Sequence, residues 1–223
     1  MKKVIVISAH PDDEVLGAGG SLLKHKQNGD SLYWLITINV FVESGFSEER
    51  AKSRQLEIIK VAEKLGIQKI FILDYPTMNL SSSSLIKMVP EISEIFMEVE
   101  PEVVYCLNRS DAHSDYRITF DAVIACTKSF RYPFIKIVLM YECISETEFA
   151  PALFEKVFIP NYFVDISETM GEKLEIMKIY DSELGEHPFP RSLRNIEALG
   201  TYRGASIGVE YAEAFQLIKY IDK

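Results

Sequence analysis

Short β-branched runs and amphipathic stretches alternate along almost the whole 223-residue chain, and this alternation constrains the fold more than any other feature. The apolar runs at 4–9, 32–39, 69–73, 103–107, 136–141 and 162–166 read as strands. Between them, 20–28, 48–65, 85–99, 116–129 and 169–184 carry helical periodicity, with Ser47 and Gly66 bracketing the second helix as N-cap and stop. Strand–helix alternation predicts an α/β fold with a mostly parallel central sheet covered by helices on both faces. No linker, repeat or second core interrupts the pattern, and the length suits one domain over residues 1–223.

Composition removes several classes of function. A formal charge of −9 lacks the clustered Lys and Arg that a nucleic-acid footprint needs. No run of about 18 apolar residues exists, so no membrane span is expected. The apolar stretch after Lys2-Lys3 is too short for a signal peptide and runs straight into His10-Pro11-Asp12-Asp13-Glu14, which points to the cytoplasm. Cys106, Cys126 and Cys143 form no CxxC pair and sit in apolar runs, so they read as reduced core residues.

Open parallel sheets bind ligands beyond the carboxyl ends of their strands. The first strand ends at Ala9 and the fourth near Leu107, so His10–Glu14 and the loop 108–115 are expected to converge on one rim. The first cluster holds one imidazole and three carboxylates in five residues. Such density is costly by mutual repulsion unless a cation neutralises it, and imidazole with carboxylate suits Zn²⁺ and related divalent ions. A carboxylate beside such an ion can serve as general base. The plain alternative is an acidic loop capping a helix that starts after Gly17. In the second cluster, Asp115 is placed to orient His113 and raise its pKa, giving a cation for an oxyanion or a leaving amine. The alternative there is capping, with Ser114 or Asp115 starting a helix near Tyr116. His25 reads as solvated on its helix and His187 as an incidental loop residue. Gly17-Ala18-Gly19-Gly20 lacks the G-x-G-x-x-G spacing, and its acidic neighbours would repel a pyrophosphate.

The segment Ser8 to Gly20 resembles the opening motif of the LmbE-like, or PIG-L, deacetylase family. Arg54-x-x-Glu57 before Leu65-Gly66, His113-x-Asp115, Pro190-Arg191-Ser192, Arg203-Gly204 and Tyr211 to Phe215 resemble its later landmarks, in order. The resemblance implies a Rossmann-like three-layer sandwich and zinc-dependent removal of an acetyl group from an N-acetylated sugar, nucleotide sugar or glycoside. It also implies residue roles: His10 and Asp13 as metal ligands, Asp12 as general base, His113 as the electrophilic or acid histidine, and Asp115 as its orienting partner. The family loop usually ends in a histidine that supplies the third ligand; here that position is Tyr116, a neutral phenol with a free pKa near 10. Tyr116 as a phenolate ligand, a weakly held Zn²⁺ or other divalent ion, and a metal-free site are three outcomes of that change. Beside an active deacetylase stand an impaired member that binds a sugar or a protein partner, and an amide hydrolase acting on a thiol conjugate or an antibiotic precursor. Loops 77–84, 142–149 and 186–192 are expected to choose the small-molecule substrate. Family members are often oligomeric, so a homo-oligomer is compatible with the sequence.

Overall fold

The computed structural model describes residues 1–39, 47–78 and 80–222. Seven strands, β1 (Lys3–Ser8), β2 (Ser31–Asn39), β3 (Ile67–Pro76), β4 (Val103–Leu107), β5 (Ile137–Tyr141), β6 (Tyr162–Asp165) and β7 (Ala212–Tyr220), form one sheet in the order β3-β2-β1-β4-β5-β7-β6. The first five are mutually parallel, while β7 runs antiparallel to both of its neighbours. Because β1 and β4 lie at the centre, both of their faces are covered. Their sequences VIVIS and VVYCL are accordingly buried without alternation.

The strand order reverses after β3, and right-handed crossovers then put α1 (Asp13–Gln27) and α2 (Glu48–Leu65) on one face and α3 (Leu85–Val99) and α4 (Ser114–Ala125) on the other. Two later helices, α5 (Met170–Met177) and α6 (Leu193–Ala205), extend the first layer, α5 packing on α1 and α6 on α5 and β7. The three-layer, Rossmann-like arrangement is the one expected, with its topological switch point between β1 and β4.

Several boundaries differ from expectation for identifiable reasons. Helix α1 starts at Asp13 rather than at Gly20, because its glycines meet close neighbours instead of ending it. A Cβ on Gly17 would lie 2.1 Å from Tyr141 Cδ2, and one on Gly20 would lie 2.8 Å from Ile166 Cβ. The 169–184 helix breaks after Met177 into a 3-10 segment, Lys178–Glu183, kinked at Tyr180. Helix α6 and strand β7 were not expected. His25 is not solvated: its Nδ1 lies 2.8 Å from Asp30 Oδ2 and its Nε2 lies 3.0 Å from the Tyr105 hydroxyl. All three cysteines are free and buried, and no helix among the described residues is long and apolar enough to cross a membrane.

Candidate active site

The rim at the ends of β1 and β4 is built from backbone first. Asp12 sits just before α1 with φ 144°, a conformation that side chains rarely adopt, and its carbonyl accepts the Val15 and Leu16 N–H groups at 3.1 and 2.9 Å. Three contacts hold the turn. Asp13 Oδ2 accepts the Ala9 and His10 N–H groups at 2.9 and 2.8 Å, and Arg54 Nη1 donates to the Pro11 carbonyl at 3.0 Å. The other oxygen, Asp13 Oδ1, accepts the Tyr116 hydroxyl and, at 3.5 Å, the Cys143 thiol. Both oxygens of this carboxylate are therefore fully occupied by protein donors.

The second loop arrives from β4, and the two clusters expected to converge do so. The His113 ring, rather than Ser114 or Asp115, caps α4: its Nδ1 accepts the Asp115 N–H at 3.1 Å. That bond leaves Nδ1 unprotonated, so the neutral ring carries its proton on Nε2. The His10 and His113 rings meet edge to face at 5.1 Å, and Tyr116 closes the triangle at 5.6 and 5.9 Å. Asp115 is buried between the two imidazoles, its Oδ2 3.4 Å from His10 Nε2 and 3.6 Å from His113 Nδ1. That oxygen also accepts the Met78 N–H at 2.9 Å, whereas Oδ1 has no partner among the described residues. One donor atom each from His10, His113 and Asp115 fits within 4.8 Å, a set able to hold a metal ion.

The open side of the rim is walled by residues that carried no assigned role. Glu183, at the end of the 3-10 segment, gathers three guanidinium groups: Arg50 Nη2 at 2.7 Å, Arg191 Nη2 at 3.2 Å, and Arg54 Nη2. Arg191 Nη1 then reaches to 3.6 Å from Asp12 Oδ2. Glu146 Oε2 accepts the His113 N–H at 3.2 Å. Together with His10, Asp12 and Tyr116 they enclose a cavity of about 250 Å³. Arg54 and Arg191 stood inside the resembling motifs, but Glu146 and Glu183 carry no local signal. Of the loops expected to choose the substrate, 77–84 contributes Thr77 and Met78 to this cavity, 142–149 Glu146 and 186–192 Arg191; Asn79 lies outside the described residues.

Burial and like charge raise the carboxyls here. Burial first, then the neighbouring charges of Asp13 and Glu183, push Asp12 up to about 8 against the pull of Arg191. Burial also pushes Glu14 up to about 8, although the Tyr180 hydroxyl donates to its Oε1 at 2.7 Å. Burial disfavours a charged His10, but the bond to Asp115 and the charges of Asp13 and Asp12 outweigh it and hold this histidine above its usual range. His113 goes the other way. Burial outweighs the pull of Asp115, so its pKa is lowered rather than raised, correcting the expected imidazolium. Burial, then the Asp13 charge, keeps Tyr116 well above the usual phenol range, so it is a neutral hydrogen-bond donor.

Known proteins match this frame over nearly its full length. A diacetylchitobiose deacetylase of Thermococcus kodakarensis is 27% identical over 98% of this chain and 84% of its own. The crystal structure of N,N'-diacetylchitobiose deacetylase from Pyrococcus horikoshii superposes with a TM-score of 0.77 at 22% identity, covering 98% of this chain and 84% of that one. GalB, the 4-carboxy-2-hydroxymuconate hydratase of Pseudomonas putida, also shares the fold, with a TM-score of 0.72 at 20% identity over 100% of this chain and 98% of its own. The model of the family PIG-L, GlcNAc-PI de-N-acetylase, matches residues 5–127, more than half of the chain and both polar loops. The chain belongs to the PIG-L (LmbE-like) family.

Proposed function

We propose that this protein is a metal-dependent N-deacetylase that removes the acetyl group from an N-acetylated sugar derivative. The observation that carries the reading is the meeting of Asp12, His10 and His113 around one cavity at the switch point of the sheet. Family membership and the deacetylase relatives support hydrolysis of an acetamide over the hydration for which GalB is named.

The donor chemistry fits a divalent ion. Two imidazoles, several buried carboxylates and an orphaned buried oxygen on Asp115 would be relieved by a cation, with Zn²⁺ the first candidate. Two donor sets meet at His10: Asp13 with Tyr116, and His113 with Asp115. When bound, such an ion supplies Lewis acidity for the amide carbonyl and makes a water easier to deprotonate. Asp12 takes the proton of the attacking water. A carboxyl poised near neutrality suits both that transfer and the return of the proton to the departing amine. Arg191 orients Asp12 and lends positive charge to the same side of the cavity. The narrow, largely buried turn keeps bulk water off Asp12.

The test is a panel of N-acetylglucosamine derivatives incubated with Zn²⁺-supplied protein, scored by release of acetate and of a primary amine in equal amounts. Stoichiometric release that disappears in Asp12→Ala supports the reading; release of neither product from any acetamide, with the metal bound, sinks it.

A further inference from the structure

Three lines of contact run from the 3-10 segment Lys178–Glu183 to one residue, Asp12. The first reaches its backbone. The buried Tyr180 hydroxyl donates to Glu14 Oε1 at 2.7 Å, and Glu14 Oε2 accepts the Asp12 N–H at 3.1 Å. The second reaches the peptide before it: Glu183 Oε1 accepts from Arg54 Nη2, and Arg54 Nη1 donates to the Pro11 carbonyl at 3.0 Å. The Arg54 guanidinium also lies 5.6 Å from the centre of the Tyr180 ring, which ties these two lines together. The third reaches the carboxylate. Glu183 holds Arg191 twice, its carbonyl accepting from Nε at 3.1 Å and its Oε2 lying 3.2 Å from Nη2, and Nη1 then stands 3.6 Å from Asp12 Oδ2. Lys178, in the same segment, pairs instead with the exposed Glu175.

Asp12 needs such holding. Its φ of 144° is a conformation that side chains rarely adopt, and strained backbone of this kind persists only where its surroundings over-determine it. A reacting group also has to stay within about 0.5 Å of its productive place. Resting on the reading of Asp12 as general base, we propose that Tyr180 and Glu183 are positioning residues for it. Tyr180 sets the Asp12 backbone through Glu14, and Glu183 sets the preceding peptide through Arg54 and the carboxylate through Arg191. Both act through other side chains. Neither they nor Glu14, Arg54 and Arg191 belong to a donor set at His10, so the brace is the same whichever set holds an ion. The break in the helix after Met177 thereby acquires a purpose: the segment that follows leaves helical geometry at Tyr180 (φ −86°, ψ 49°) and reaches the turn at Asp12 with two side chains.

The experiment is steady-state deacetylation of an N-acetylglucosamine derivative by Zn²⁺-supplied Glu183→Ala and Tyr180→Phe, with metal content and melting temperature measured for each. Glu183→Ala should lower kcat by about 100-fold, the cost of misplacing a reacting group by about 1 Å, and Tyr180→Phe by less. KM and metal content should stay near wild type, because the loss falls on the chemical step. Glu183→Gln keeps an acceptor oxygen for the guanidinium groups and should recover part of the loss. The separating readout is the Asp12→Ala background, where neither change should lower the residual rate further. An equal fall with and without Asp12, or a lower melting temperature with kcat unchanged, makes the two residues merely structural and overturns the assignment. Should Glu183→Ala fail to fold, Glu183→Gln and Tyr180→Phe carry the same comparison. Crystal structures of the variants decide without activity: the Asp12 carboxylate should leave its wild-type place, and an Asp12 that superposes on wild type overturns the proposal. Wild-type protein that releases no acetate with metal bound removes the deacetylase reading itself, while the crystal structures still decide whether the segment sets Asp12.

Discussion

Helix α1 is gripped at two places by buried charge, and the two grips are built on opposite principles. Beside its middle, Lys173 and Glu213 form a closed account of donors and acceptors. The Lys173 ammonium reaches Glu213 Oε1 at 2.7 Å and the Leu16 carbonyl at 2.9 Å, while Glu213 accepts the Gly20 and Ser21 N–H groups, each at 2.8 Å. At its first turn, Asp12, Asp13 and Glu14 are as deeply buried, but the nearest guanidinium stands 3.6 Å away, from Asp12 alone. Paired burial fixes α1 against α5 and β7. Burial without a matching cation instead raises the Asp12 and Glu14 carboxyls.

That contrast can be broken by substitution. The largest effect is expected at the unpaired end, where Asp12→Ala should lower turnover by about 100- to 10,000-fold. The same change should leave the melting temperature equal or higher, because it removes a buried carboxyl rather than a matched partner; a marked loss of stability would erase the distinction. Next comes the paired end. Lys173→Met should cost about 3–5 kcal/mol in denaturant unfolding by leaving Glu213 buried alone. Adding Glu213→Gln should recover part of that loss, and no recovery would show that the two residues act separately. A smaller effect, about 1–3 kcal/mol, is expected from Tyr180→Phe, which strips Glu14 of its hydroxyl donor.

The shallowest effect is spread over pH. Asp12, Glu14 and Asp111 are each raised to about 8 by burial, so between the ordinary carboxylate range and about pH 8 the folded protein holds more protons than the unfolded chain. Stability of chelator-treated protein should therefore be greatest at the acid end of that window and fall as pH rises through it. Thermal melts across the window check the sign, and a rise toward pH 8 would contradict it.

Much of this was legible in the chain because the relevant signals are local. Helices α2 and α3 and strand β4 lie at the expected residues, since capping at Ser47, the αL stop at Gly66 and an unbroken apolar run are written in adjacent positions. The convergence of His10–Glu14 with the loop 108–115 followed from the rule that open parallel sheets bind ligands beyond the carboxyl ends of their strands. What was illegible depends on packing. The glycines of α1 argue against a helix until Tyr141 and Ile166 are seen to need their missing side chains. The small-residue face of α6, where a Cβ on Gly204 would lie 2.6 Å from the Glu210 carbonyl, dilutes its apolar stripe. Glu183 and Glu146 reach the cavity from remote segments, and no spacing rule ties them to His10. His113 misled for a similar reason, since its neighbour Asp115 is visible in sequence but its burial is not.

The threading of β7 between β5 and β6 has a consequence for how the chain acquires its site. Strand β6 pairs with β7 alone among the described residues, so its place in the sheet waits for a strand made some fifty residues later. The five parallel strands are complete by Tyr141, with both polar loops already made. Glu183, Arg191 and Glu213, which orient the guanidinium groups and clamp α1, emerge afterwards. During synthesis the sheet can therefore form ahead of its chemistry. A nascent chain halted before Glu183 would present the carboxylates of Asp12, Asp13 and Glu14 without the guanidinium cluster that walls their cavity, so the wall is added to a sheet whose parallel strands are already made.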